Sequence, residues 1–168
     1  MEGSDMGCLG GFRAITKEEL DKLRSVPRAD RLPDYLDEMD QVDSCDLDKA
    51  WDAIHRALTN GKLEYGGKNA PGCWVILGGE VLRGDREGEE DYIVTCKNPH
   101  QTKRIYQFLQ ELTEEKFREL YFAIDPEEYG FELSEDDFDY TWSNLESSIP
   151  FWKNAAEQGL WVLFDADQ

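Results

Sequence analysis

Apolar residues recur every three or four positions along much of this sequence, which is the period of an amphipathic helix. The clearest example is residues 46–61, DLDKAWDAIHRALTNG. One helical face of this stretch carries Leu47, Trp51, Ile54, His55 and Leu58. Asp46 or Asp48 is available as the N-cap, and Asn60-Gly61 is a typical helix stop. We predict a helix over residues 48–59 that packs Trp51, Ile54 and Leu58 inward.

The N-terminal part of the chain predicts a strand followed by a helix. Residues 7–15 form a short, glycine-bearing, apolar stretch. Thr16 and Glu19, which follow it, have the spacing of a capping box. Pro27 and Pro33 interrupt the chain before an acidic segment, residues 34–43, which predicts one or two helical turns. A capped helix therefore follows the first strand.

The second half of the chain alternates strand and helix signals. Residues 73–80, CWVILGGE, are a buried run that fits either a strand or a helix end, and residues 92–95 are β-prone. Helix starts are predicted at Asn98, Thr113 and Ser134, and Pro150 is expected to kink or restart the last of these helices. Gly159 predicts a left-handed helix end before residues 160–167, LWVLFDAD, the clearest strand. Predicted helices outnumber predicted strands, and a single domain accounts for all of these elements.

Charge limits the possible partners. The 168 residues contain 18 Lys and Arg against 37 Asp and Glu, so the formal net charge is -19, while 40% of residues are hydrophobic. This composition predicts a folded protein rather than a disordered one. Repulsion disfavours phosphate backbones and anionic membrane surfaces. We expect no nucleic-acid partner and no membrane association.

The cysteines and the N-terminus predict a cytoplasmic protein. Cys8, Cys45, Cys73 and Cys96 are unevenly spaced without a CxxC pair, as expected for free thiols in a reducing compartment. The first residues lack the basic start and long apolar stretch of a secretory signal. We interpret residues 1–6 as a leader or as residues foreign to the natural chain, and residues 7–168 as one domain.

The sequence contains no motif of the common nucleotide-binding or hydrolase classes. GxxxxGK[ST], GxGxxG and GxSxG are all absent. The two histidines, His55 and His100, are 45 positions apart, and neither aspartate cluster has the glycine turn and distal Glu of an EF-hand. We therefore expect no cofactor and no bound metal.

His55 is the sharpest candidate for chemistry. Its side chain titrates near neutral pH, and Asp48, Asp52 or Glu80 are possible carboxylate partners. A lone histidine on an apolar helical face is more often a hydrogen-bonded core residue, and Trp51 is more often core still. Our working hypothesis is a buried His55. The alternative is a pocket formed by Asp48, Trp51, His55 and Glu80.

Residues 119–152 form an acidic tract with ten carboxylates and no Lys or Arg. Such a tract is either a solvated face that keeps a protein soluble or a docking surface for a basic partner. Asp136, Asp137 and Asp139 are the candidate contact residues. They also lie where a helix start favours negative charge.

Four segments together resemble the YfbM-like family, a bacterial domain family of unknown function: MGCLGGFRAIT, DLDKAWDAIHRALT, VILGGE and FWKNAAEQGLWVLF. The most specific part is the run with Asp46, Asp48, Lys49, Trp51, His55, Leu58 and Thr59, supported by Gly78, Glu80 and Gly159. The resemblance implies an α/β or α+β fold: a single compact domain whose helices cover a small mixed sheet. It implies no reaction.

Three functions remain open from the sequence. We favour a non-enzymatic protein-interaction module that resembles immunity proteins, which neutralise a basic partner with carboxylates. The second is a small-molecule-binding or enzymatic domain with a pocket around His55, Asp48 and Glu80. The third is a nucleic-acid mimic, which needs an elongated acidic face.

Overall fold

Five strands form one antiparallel sheet in the computed structural model, which describes residues 9–25, 43–59, 71–83 and 92–167. The strands are β1 (Leu9–Ile15), β2 (Asp43–Asp48), β3 (Glu80–Arg83), β4 (Tyr92–Lys97) and β5 (Trp161–Asp167). Their order across the sheet is β2-β1-β5-β4-β3. The fold is α+β. The expected mixed sheet is wrong, because β5 lies between β1 and β4 and runs opposite to both, and the two outer pairs are antiparallel as well.

Helices make up most of the rest of the described chain. They are α1 (Lys17–Arg24), α2 (Trp51–Leu58), α3 (Pro99–Glu111), α4 (Glu114–Phe122), α5 (Pro126–Tyr129), α6 (Glu135–Ser147) and α7 (Ile149–Gln158), with a 3-10 helix at Gly72–Trp74. The predicted caps are confirmed: the side chains of Thr16, Asn98, Thr113 and Ser134 each accept a backbone hydrogen bond from three residues on. Gly159 ends α7 in the left-handed conformation, as predicted.

The main core lies between one face of the sheet and the helices α2, α3, α4, α6 and α7. Phe12, Phe164 and Ala166 project from the strands into this layer, and Trp152 of α7 packs edge-on to Phe12 with ring centroids 4.9 Å apart. The opposite face of the sheet carries a smaller cluster, in which Leu20 and Leu23 of α1 cover strand residues. α1 is thus the described helix that covers this second face.

The first residues of the predicted central helix belong to a strand instead. Residues 43–48 form β2, which pairs with β1, so the expected N-cap at Asp46 or Asp48 is wrong. The helix begins at Trp51, and its cap residue Ala50 makes no side-chain hydrogen bond. Leu47 packs into the core as a residue of β2 rather than as a residue of the helix. Pairing with β1 therefore overrides the local helical period.

Residues 73–80 were predicted as a strand or a helix end, and most of them form neither. It contains the end of the 3-10 helix, then turns through residues 75–77, and only Glu80 begins a strand. Gly78 and Gly79 allow a close approach: a Cβ on Gly79 would lie 2.3 Å from the carbonyl oxygen of Cys96, and its φ is 94°. The predicted leader, residues 34–43 except Asp43, and the Asn60-Gly61 helix stop lie outside the described residues.

Candidate functional site

Trp51 and His55 belong to the core. Trp51 is 3% exposed and packs with its ring centroid 5.5 Å from that of Phe164. His55 is fully buried, as the working hypothesis expects, and its backbone carbonyl accepts a hydrogen bond from the Thr59 hydroxyl at 2.7 Å. Neither side chain is presented to solvent by the helix that carries it.

The other two residues of the expected pocket lie at opposite edges of the sheet. Asp48 ends β2 and Glu80 begins β3, so four strand spacings, roughly 19 Å, separate their strands. Both residues are exposed, and Glu80 forms an ion pair with Arg24 of α1. The structure therefore does not bring Asp48, Glu80 and His55 together in one pocket.

Asp48 instead contacts the acidic helix α6. Its backbone has a positive φ of 53°, and its amide donates a hydrogen bond to the Asp46 side chain at 2.9 Å. The next amide, that of Lys49, donates to the hydroxyl of Tyr140 on α6 at 2.9 Å. Burial chiefly raises the pKa of Tyr140, and the Asp48 carboxylate raises it further. The turn between β2 and α2 is thus fixed against α6.

The three aspartates of the expected contact surface have different environments. Asp136 and Asp139 are exposed on α6, whereas Asp137 is half-buried. The Asp137 carboxylate accepts hydrogen bonds from the hydroxyls of Tyr121 at 2.5 Å and Tyr129 at 2.9 Å. Burial and then these hydrogen bonds raise the pKa of both tyrosines. Asp137 therefore joins α4, α5 and α6, and only Asp136 and Asp139 are available as surface charges.

Replacing Asp137 with alanine should lower the free energy of unfolding by about 1–3 kcal/mol, because two tyrosine hydroxyls, one of them on the fully buried Tyr121, lose their acceptor. Asp136→Ala is the matched control, since it removes an exposed carboxylate from the same helical turn. Its loss should stay within about 0.5 kcal/mol. Urea denaturation of both variants tests this difference, and equal losses would contradict a structural role for Asp137.

Exposed aromatic rings interrupt the acidic tract, and the sequence analysis missed them. Phe131 is 63% exposed, Phe122 37% and Tyr140 36%. Phe131 lies in the irregular segment between α5 and α6, where Gly130-Phe131-Glu132 places a large apolar residue outside any helical period. That break in the pattern was the available signal. We call the exposed surface of residues 122–140 the acidic–aromatic face.

One arginine is already bound beside this face. The guanidinium of Arg118 donates two hydrogen bonds to the Glu135 carboxylate, at 2.6 and 2.8 Å, and lies 4.5 Å from the ring centroid of Phe138 and 5.7 Å from that of Phe122. The hydrogen bonds from Arg118 lower the pKa of Glu135. The positive charge next to the acidic tract is thus paired.

A cavity of about 260 Å³ opens on the second face of the sheet, between β1 and β2. The described residues that line it are Leu9, Gly10, Gly11, Phe12, Arg13, Ser44, Cys45, Asp46 and Asp165. Arg13 and Asp165 form an ion pair at 3.2 Å within it. This cavity is separate from His55, which lies in the core on the other face.

Lys97 is a buried amine that sequence reasoning did not single out. It is fully buried at the end of β4, where its Nζ donates to the Ile76 carbonyl at 2.5 Å and to the Thr95 hydroxyl at 2.6 Å. The amine also lies 5.6 Å from the Phe164 ring centroid. Burial lowers its pKa from 10.5 to about 7. No described carboxylate forms an ion pair with it.

The described part of the chain lacks two other kinds of feature. Within it, no cluster of three or more His, Cys, Asp or Glu residues has the geometry to hold a metal ion. In the same ranges, no helix is long and apolar enough to cross a membrane.

Residues 6–165 match the family described as Domain of unknown function (DUF1877). The chain belongs to this family. The crystal structure of YfbM from Escherichia coli, itself a protein of unknown function, is similar with a TM-score of 0.66 and 21% sequence identity. The match covers 94% of this chain and 99% of that one, so the likeness extends over the whole fold. No protein with curated annotation matches the sequence. The expected relationship to YfbM-like proteins is confirmed, and membership in the family assigns no activity.

Proposed function

We propose that this DUF1877 protein is a non-enzymatic interaction module that binds a basic protein on its acidic–aromatic face. The observation that carries the proposal is the exposure of Phe131, Phe122 and Tyr140 within a tract of ten carboxylates and no Lys or Arg. Protein interfaces typically combine such aromatic anchors with a polar rim.

The charges of the face favour a basic partner. Asp136 and Asp139 are exposed on α6, and Glu127, Glu128 and Glu132 are exposed around α5 and the segment that follows it. Potentials of one sign steer an oppositely charged protein toward the surface and raise its association rate. Five exposed carboxylates in the same segment as the exposed Phe131 ring thus define both the charge and the chemistry of the expected partner.

The fixed packing beneath the face favours a docking role over a solubilising role. The side chains beneath the face are fixed, because the hydroxyls of Tyr121 and Tyr129 both donate to the Asp137 carboxylate and Phe122 stacks on Phe138 at 6.1 Å. A fixed surface loses little conformational entropy when a partner binds. We propose a role like that of immunity proteins, in the cytoplasm, where Cys45 and Cys96 stay reduced.

The test compares charge reversal on the face with reversal elsewhere. Immobilised wild-type protein should recover a basic protein from native lysate at 50 mM salt and release it by 500 mM, because the Debye length falls from about 14 to about 4 Å. Asp136→Lys with Asp139→Lys should abolish this recovery. Asp137 is left unchanged, since it stabilises the fold.

Glu18→Lys with Glu157→Lys is the matched control, because it makes the same change in net charge on exposed residues of α1 and α7. It should recover the same protein as the wild type. Recovery that ignores both salt and the reversal on α6, or that is lost equally in the control, would reduce the acidic tract to a solubilising surface.

A small-molecule function is the second candidate. The expected pocket of Asp48, Trp51, His55 and Glu80 has little support, because two of its members are buried and the other two lie at opposite edges of the sheet. The cavity between β1 and β2 favours this candidate instead, since it combines an ion pair with exposed Ser44 and Asp46. A ligand-binding function of this protein would be sought there first.

A further inference from the structure

Arginine side chains of this protein show how its helices hold a guanidinium group. Arg118 donates two hydrogen bonds to Glu135 while it lies over the Phe138 ring. Arg56 of α2 repeats the arrangement: its Nε donates to Asp52 at 2.5 Å, and its guanidinium lies 5.9 Å from the ring centroid of Tyr129. In both cases one carboxylate and one aromatic ring share the same guanidinium.

Phe131 and Tyr140 are aromatic rings in the same acidic segment, but neither ring is occupied by a guanidinium of the described residues. The Phe131 ring contacts that of Tyr129 at 5.2 Å, and among the described residues no cation lies over it. Glu128 and Glu132, which flank Phe131 in the sequence, are exposed and form no ion pair within the described ranges. Tyr140 lies one helical turn after the exposed Asp136 and next to Asp48. Both rings are therefore open to a cation from outside.

The two basic side chains are not equivalent on such a surface. A guanidinium is planar and weakly hydrated, so it stacks on a ring and binds a carboxylate in the same plane, whereas an ammonium group is a strongly hydrated point charge. Carboxylates alone attract both to a similar degree. Exposed rings among the carboxylates should therefore distinguish arginine from lysine.

We propose that the acidic–aromatic face selects arginine over lysine, with guanidinium groups of the partner stacking on Phe131 and Tyr140 beside the neighbouring carboxylates. This inference rests on the proposed function, because it names the chemistry of the partner that the face binds. The partner is then a protein whose contact surface is rich in arginine rather than in lysine.

The experiment titrates the full chain with two fluorescein-labelled peptides, hexa-arginine and hexa-lysine, at 50 mM salt and follows their anisotropy. The arginine peptide should bind about tenfold more tightly, because two ring contacts are added to equal charge attraction. Phe131→Leu with Tyr140→Leu should bring the two affinities within about twofold of each other, since leucine keeps an apolar surface but has no π face.

Two controls separate the ring effect from charge and from folding. Tyr106→Leu should leave the arginine preference unchanged, because Tyr106 is a partly exposed ring on α3, outside the acidic–aromatic face. Asp136→Asn with Asp139→Asn should weaken both peptides by a similar factor and keep their ratio. Circular dichroism of each variant confirms that the fold is retained.

The outcomes distinguish this inference from the proposal on which it rests. Equal affinities of the two peptides for the wild type would overturn arginine selection. An arginine preference that survives loss of both rings would overturn selection by Phe131 and Tyr140. Both results leave the docking face standing. Binding of both peptides that is unchanged in the Asp136 and Asp139 variant would overturn the docking face itself.

Discussion

Truncation of Trp51 to alanine should lower the free energy of unfolding by about 3–5 kcal/mol. The ring is 3% exposed and packs against Phe164 of the central strand β5. Gly10 of β1 also approaches the ring closely, since an added Cβ there would come within 2.7 Å of the tryptophan ring. Because strand backbone and aromatic rings surround the site, little of the cavity left by the ring can collapse.

Chemical denaturation of Trp51→Ala and Phe131→Ala measures the effect against a surface control. Phe131 is the most exposed of the large hydrophobic residues that the structure describes, so its truncation should cost less than about 1 kcal/mol. A loss under about 1 kcal/mol for Trp51 as well would contradict its place in the core. Trp51 would then become a candidate contact residue.

Local signals were sufficient where an element is stabilised within its own segment. Asn98 and Gln101 satisfy each other's backbone amides at the start of α3, so the capping box that predicts the helix is also what begins it. Thr113 and Ser134 cap α4 and α6 without the return bond, since their hydroxyls accept from the amides of Lys116 and Asp137. The predicted strand at residues 160–167 is likewise confirmed as β5, because its apolar run requires burial on both faces.

The strand β2 and the directions of the strands were not predictable, because both depend on distant pairing. The segment DSCDLD of β2 has few β-prone residues, and only Leu47 is buried in it. It is a strand because β1 offers it a free edge, and its charged residues are typical of edge strands that must not pair further. The antiparallel direction of the strands could not be predicted either. The resemblance implied a mixed sheet, and residue patterns do not encode strand direction.

The candidate site shows the same limit at single residues. Asp136 and Asp137 are adjacent and chemically identical, yet one is exposed and the other accepts two tyrosine hydrogen bonds. The difference arises from helix packing, because α4 and α5 approach one side of α6 only. Lys97 is a second case. Lysine is almost never fully buried, so the sequence favours an exposed side chain at the end of β4.

The burial of Lys97 should make stability depend on pH above neutrality. Its pKa is 10.5 in the unfolded chain and about 7 in the folded protein, because burial disfavours the charged amine. Between these values the unfolded chain binds the proton and the folded protein does not, so the free energy of unfolding rises with pH. Integrated from pH 7 to 10.5, the rise is about 4–5 kcal/mol, and below pH 7 it is absent.

Lys97→Met removes this group and should flatten the dependence. The difference in unfolding free energy between wild type and variant should change by up to about 1.4 kcal/mol per pH unit between pH 7.5 and 8.5. The window stops there because Cys96 acts in the opposite direction: burial raises its pKa from 9.0 to about 12, so its thiol reduces stability as pH rises past 9. Taking the difference between two proteins also cancels groups that they share.

Lys153→Met is the control, since Lys153 is exposed on α7 and its removal should leave the pH dependence of the wild type intact. Urea denaturation at several pH values supplies all three curves. Parallel curves for wild type and Lys97→Met would mean that the amine stays charged in the fold. In that case its bonds to the Ile76 carbonyl and the Thr95 hydroxyl would have to offset the desolvation of a full positive charge, which two neutral acceptors rarely achieve.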